Sequence, residues 1–207
     1  MKTFVFQGDS ITDVGRARDN DINIGLGYPF LFAAKMGRDY PEEYAYLNRG
    51  ISGNRIVDLY ARIKSDIINL KPDYLSILIG VNDVWHEFSR HNGVDAEKYE
   101  KIYSMLIEEV KQALPDIKII IMEPFLLKGP ATEENWDEFY SEIRKRAVAA
   151  KNIAEKYSLE FLPLQDKFFE LSKNLPTTYW IRDGVHPTTY GHEFIARELI
   201  NCFEKIK

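Results

Sequence analysis

The sequence predicts a three-layer α/β/α sandwich around a parallel central sheet of about five strands. Two observations carry that expectation: short apolar runs ending in turn residues recur along the chain, and amphipathic helical patterns separate them. The runs themselves supply a third. "YLSILIG" and "IKIIIME" are apolar at almost every position, as strands buried on both faces are.

The first run, residues 4–6, stops at Gly8-Asp9-Ser10, a glycine and two small polar residues of the kind that end a strand in a tight turn. "GLGY" at 25–28 reads as a turn into a helix over residues 29–36; it lacks the third glycine and the preceding strand of a dinucleotide-binding loop. A second run covers 45–47. Ile56, Leu59, Tyr60, Ile63 and Ile67 then fall at spacings of three and four, predicting a helix that Lys71-Pro72 ends. The third run, 74–79, is followed by a helix over 94–114, again closed by a proline, Pro115. After the fourth run, 117–122, the longest expected loop covers 126–136 and contains Gly129-Pro130, a candidate rim for a site. A helix over 137–157 turns Phe139, Ile143, Ala147, Ala150 and Ala154 inward, and a fifth run covers 159–162. The last helix begins after Pro187.

With 207 residues, 45% of them hydrophobic, the chain suits one domain over 1–207. Its net charge of -5 comes from interleaved acids and bases, with no basic block to neutralise phosphates, so nucleic acid is not an expected partner. Cys202 is the single cysteine, which excludes an intrachain disulfide and a thiolate metal cluster. No apolar run approaches a membrane span, and the N-terminus enters the first strand at once, so no membrane association is expected and the location expected is cytoplasmic. The aromatics of the final helix and of the loops are expected to be partly exposed, which would suit a homo-oligomer.

Open parallel sheets bind ligands beyond the carboxyl ends of their strands. The polar segments that follow strands are therefore the ones to inspect: Ser10, "NRGISGNR" (48–55), "GVNDVW" (80–85), and "RDGVHPTTYGH" (182–192) before the last helix. Ser10 alone reads as a turn cap. Together the four segments offer every part acyl transfer needs. Ser10 is the candidate nucleophile and His186 the base; Asp183, three residues before it, can orient the imidazole. Pro187 restricts the His186 backbone. The amides of Ser10 and Gly53 and the side-chain NH₂ of Asn82 are candidate oxyanion donors. Activity is expected to fall on acidification, since the imidazole must be neutral to act as base.

These blocks resemble the GDSL lipase/esterases, or SGNH hydrolases, over nearly the whole chain: "GDSITD", "GISGN", "GVNDVW" and "DGVHPTTYGH", in that order. The resemblance implies a flavodoxin-like sheet, no cofactor and no metal, Ser10, Asp183 and His186 as the catalytic triad, and Ser10, Gly53 and Asn82 as the oxyanion hole. Ile11 stands where many members carry Leu, an exchange that repacks the turn. The Gly-x-Ser-x-Gly elbow of the α/β-hydrolases is absent. Within the family the blocks look most like intracellular esterases that deacetylate xylan-derived sugars, implying a small acetylated oligosaccharide as substrate. Trp85, Trp180, Tyr179 and Asn54 are the candidate substrate-binding residues, with Trp136 and Tyr28 as further aromatics, because flat apolar rings match the C–H face of a pyranose.

Other readings are a general short-chain esterase, a lysophospholipase or thioesterase of the same family, and a sugar-binding protein without chemistry. A haloacid-dehalogenase-type phosphatase needs a second aspartate two residues after the first, and Ile11 stands there. Neither His186 with His192 nor His86 with His91 and Asp83 has the i, i+4 spacing of a helical metal pair. Asp13, Arg16 and Arg18 follow Ser10 closely enough to line the site, but read first as surface ion pairs.

Overall fold

The computed structural model describes residues 1–207, and the first run becomes β1 (Lys2–Gly8). Phe4 and Phe6 enter one core and Val5 the other, the period-two alternation of a strand covered on both faces. A single helical turn, α1 (Ser10–Asp13), precedes α2 (Tyr28–Asp39), which carries Pro29 in its first turn, where a missing N–H costs nothing. There follow β2 (Tyr44–Asn48), α3 (Ile56–Ala61), α4 (Ile63–Asp66), a 3₁₀ turn (Ile68–Leu70) and β3 (Tyr74–Leu78). The second half runs α5 (Val81–Arg90), α6 (Ala96–Ala113), β4 (Lys118–Met122), α7 (Trp136–Lys156) and β5 (Glu160–Leu162). It ends with α8 (Gln165–Leu171), α9 (Thr177–Trp180) and α10 (Thr189–Phe203).

All four strand pairings are parallel, in the order β2-β1-β3-β4-β5. The sandwich is therefore three-layered, with α2, α8 and α10 burying apolar residues on one face and α3 and α6 on the other. The order reverses at β1, whose neighbours are β2 and β3. That reversal opens a crevice at the carboxyl ends of these strands. Ser10, Gly53 and Asn82 follow β1, β2 and β3 respectively.

Several expectations need correction. The helix over 56–67 is broken at Arg62 (φ -111°, ψ 17°), whose guanidinium reaches the Arg49 carbonyl and the Asn54 side chain. The longest connection is residues 14–27, tied to the segment after β2: Arg16 and Arg18 donate to the Gly50 carbonyl and Asp21 accepts from Arg49, and no periodic pattern marks it. The oxyanion block at 80–85 opens a helix, α5; Val81, Val84, Trp85 and Phe88, spaced three and four apart, carried that signal. The aromatics of α10 are not an exposed face. Phe194 and Phe203 are buried against Phe168 and Phe4, and only Tyr190 is open. No helix is long and apolar enough to cross a membrane.

Candidate active site

Asp9, not Ser10, is the cap: its Oδ1 accepts the Ile11 amide at 2.9 Å, and Ser10 becomes the first residue of α1. The Ser10 side chain is thereby released from capping. Its Oγ lies 3.0 Å from His186 Nε2. His186 Nδ1 in turn lies 2.8 Å from Asp183 Oδ2. A carboxylate only accepts, so the ring proton sits on Nδ1, and Nε2 is left to accept from the serine hydroxyl.

The segment holding the histidine is fixed by its own backbone. Asp183 Oδ1 accepts the amides of Val185 at 3.0 Å and His186 at 2.8 Å, and Arg182 donates to the His186 carbonyl at 2.8 Å. Burial raises the Asp183 carboxyl, but the His186 ring and the two amides outweigh it and hold the group well below the usual carboxylate range. Asp183 therefore stays ionised beside the imidazole.

On the donor side, neither the Ser10 nor the Gly53 amide donates to a protein acceptor. Gly53 has φ +82°, the left-handed region that favours glycine, and a Cβ there would meet nothing. The requirement is conformational, not steric. Asn82, in the first turn of α5 and 5% exposed, spends one N–H of its side chain on the Asn54 carbonyl at 3.1 Å.

Three buried polar residues hold these blocks together, and their positioning roles were missed. Asp13 Oδ2 accepts Ser52 N at 2.9 Å, Ser52 Oγ at 3.0 Å and Arg18 at 2.6 Å, while Arg16 donates to the Gly50 carbonyl at 2.7 Å. The expected ion pair forms with a half-exposed Arg18, but the Asp13 carboxylate is buried, 4% exposed, and ties α1 to the Gly53 segment. Asn48 bonds the carbonyls of Thr12 and Ile24 and accepts the Gly50 amide. Asp83, fully buried, accepts the Ile56 amide at 3.0 Å, joining the start of α3 to the start of α5. Burial pushes its carboxyl up to about 7. The one legible signal was position: Asn48 closes β2, and Asp13 and Asp83 lie in the first helical turn after β1 and β3.

The candidate sugar-binding residues divide. Trp85 is drawn in, its ring 5.8 Å from that of His186. Tyr179 stacks face to face on Tyr190 at 4.4 Å, with Trp180 edge-on to it. Asn54 turns its side chain to Arg62 and offers its backbone to Asn82. Trp136 stacks on Tyr140 in α7. Tyr28 is no part of a sugar wall: it is fully buried, with its hydroxyl on Thr12 and its amide donating to His192 Nδ1. His192 is a core residue of α10, pushed down to about 4 by burial. No three His, Cys, Asp or Glu side chains converge as a metal site.

Residues 6–194 match the GDSL-like Lipase/Acylhydrolase family. An acetylxylan esterase of Geobacillus stearothermophilus is 36% identical over 206 residues, 95% of this chain and 91% of its own. The crystal structure of Axe2, an acetylxylan esterase from Geobacillus stearothermophilus, superposes with a TM-score of 0.86 at 34% identity, over 97% of this chain and 93% of that one. Catalytic mutants of that enzyme replace an aspartate, a serine and a histidine with alanine. A putative GDSL-like lipase from Parabacteroides merdae superposes with a TM-score of 0.93 at 34% identity, over 98% of this chain and 95% of that one. With a family match running from β1 into α10 and relatives similar over nearly every element, the chain belongs to the GDSL-like lipase/acylhydrolase family and is a carboxylic ester hydrolase.

Proposed function

We propose that this protein is a cytoplasmic serine esterase that removes acetyl groups from the hydroxyls of xylo-oligosaccharides through an acetyl-enzyme. The observation that carries the reading is the unbroken hydrogen-bonded chain from Ser10 Oγ through the His186 ring to Asp183. Similarity to the Geobacillus acetylxylan esterase supports the choice of substrate.

In this reading Ser10 Oγ attacks the acetyl carbonyl carbon as its proton passes to His186 Nε2. The carbonyl π pair moves onto oxygen, where the Ser10 and Gly53 amides and the Asn82 side chain donate to it. Asp183 stabilises the imidazolium. Collapse of the tetrahedral species breaks the bond to the sugar oxygen, which leaves with the proton from Nε2. Water, deprotonated by the same nitrogen, then attacks the acetyl-Ser10 ester and releases acetate. Association of copies belongs to the same reading, with exposed Ile22, Leu26 and Tyr190 as apolar surface for a neighbour.

The test compares wild type and Ser10→Ala on 4-nitrophenyl acetate, butyrate and octanoate and on acetylated xylobiose. Acetate release from the sugar that is lost with Ser10, and a preference for acetate over octanoate, are expected. A Ser10-dependent enzyme that prefers octanoate would remove the sugar assignment, and unchanged turnover in Ser10→Ala would remove the triad.

A further inference from the structure

We infer that the cavity between α5 and the 129–135 turn is a subsite for an uncharged sugar ring on the leaving-group side of the scissile ester. The inference rests on the esterase reading above and adds to it the place where the sugar sits.

Position comes first. The cavity, about 190 Å³, is walled by Trp85 and Phe88 of α5, Phe139 of α7 and Pro130 of the turn. Trp85 is a shared wall: its ring is 5.8 Å from His186 and 6.4 Å from Phe139. In acyl transfer the histidine returns its proton to the leaving alcohol, so the alcohol portion must lie beside the imidazole. A group seated in the cavity shares the Trp85 ring with the imidazole.

The opposite wall is fastened to the same segment that carries the triad. Leu127 donates to the Gly184 carbonyl and Ala131 to the Asp183 carbonyl, both at 2.9 Å, while Thr132 Oγ1 donates to Leu127 and accepts the Gly129 amide. The two strands of this contact touch through glycines: a Cβ on Gly129 would lie 2.6 Å from Gly184 N, and one on Gly184 2.4 Å from Thr132 Oγ1. Such contact leaves no slack between the turn and Asp183. The cavity and the triad therefore keep one geometry.

The lining chemistry selects the occupant. The half-buried rings of Trp85 and Phe88 match the C–H face of a pyranose and Ser89, Glu134 and Asn135 its hydroxyls, and the volume, below the ~300–1,000 Å³ of pockets for drug-sized ligands, suits one ring. At the mouth, Glu134 and Asn135 are exposed and their side chains bond to no other group of the protein. They supply acceptors and donors for hydroxyls. The Glu134 carboxylate disfavours an anion such as a phosphate headgroup.

The experiment uses unacetylated xylotriose as an inhibitor of 4-nitrophenyl acetate hydrolysis, with wild type, Phe88→Ala and Asn135→Ala. Asn135 is exposed and makes no side-chain cap bond to α7, so its variant guards against a fold effect at the half-buried Phe88. Competitive inhibition of wild type is expected, weakened about two- to tenfold in each variant relative to that variant's own KM for the small ester. Unaltered inhibition in both variants, or no inhibition of wild type, would overturn the subsite. So would a Phe88→Ala effect confined to 4-nitrophenyl octanoate, which would make the cavity an acyl pocket. Turnover of acetylated xylobiose by wild type separates the two readings. Cleavage without xylotriose inhibition removes only the subsite, and variant-sensitive inhibition without cleavage removes only the deacetylase reading.

Discussion

Asp9 is the residue beside the proposed nucleophile, Ser10, whose charge is least settled by its neighbours. It is 1% exposed; one oxygen caps α1 and the other has no partner. Burial raises its carboxyl to about 7, against the opposing pull of the Ile11 amide and of nearby His186. Between its unfolded value of 3.8 and that raised one, the unfolded chain gives up a proton the folded chain keeps, so this group costs stability as pH rises from about 4 to about 7. Asp9→Asn keeps a capping oxygen and removes the titration. Urea midpoints should therefore move in favour of the variant between about pH 5 and pH 8, and a constant difference would contradict the argument. Asn82 belongs to the same scale but acts on rate. Removing one oxyanion donor costs about 10²–10³ in kcat, so Asn82→Ala should lose that much on 4-nitrophenyl acetate. A loss under tenfold would take Asn82 out of the hole.

Between elements, the decisive joints are loops pressed backbone to backbone, and they are where change should be felt most. Gly184 has φ +103° and its missing side chain is the space Thr132 Oγ1 occupies. Gly184→Ala should destabilise by about 1–3 kcal/mol from backbone strain alone, more with the collision, and should displace Asp183. A shifted urea midpoint together with a fall in kcat is the expected pair of results. Either one absent would show that the turn and the triad segment move independently. The apolar spacing of Val81, Val84, Trp85 and Phe88 marks α5, while the break at Arg62 has no local mark. It depends on carbonyls brought to the guanidinium by the fold.

At the scale of the molecule, one crevice gathers segments from both ends of the chain, with Ser10 and His186 hydrogen-bonded across 176 residues of sequence. The hydrogen-bonded chain from Ser10 through His186 to Asp183 is complete within side chains, and no donor set of three acidic, histidine or cysteine groups exists to hold a metal. Turnover of 4-nitrophenyl acetate should accordingly persist in EDTA; a loss restored by a divalent ion would refute this. The three layers, the five-stranded parallel sheet and the candidate residue types were determined by the sequence alone, because periodicity and turn chemistry are local and three of the four motif blocks follow a strand. Tertiary structure alone decided that Asp13 and Asp83 are buried ties and not surface charges, that Tyr28 lies in the core, and that Trp85 reaches His186. The reason is physical: what a polar or aromatic side chain does depends on which distant backbone amides and rings pack against it, and those neighbours exist only once the sheet order is set.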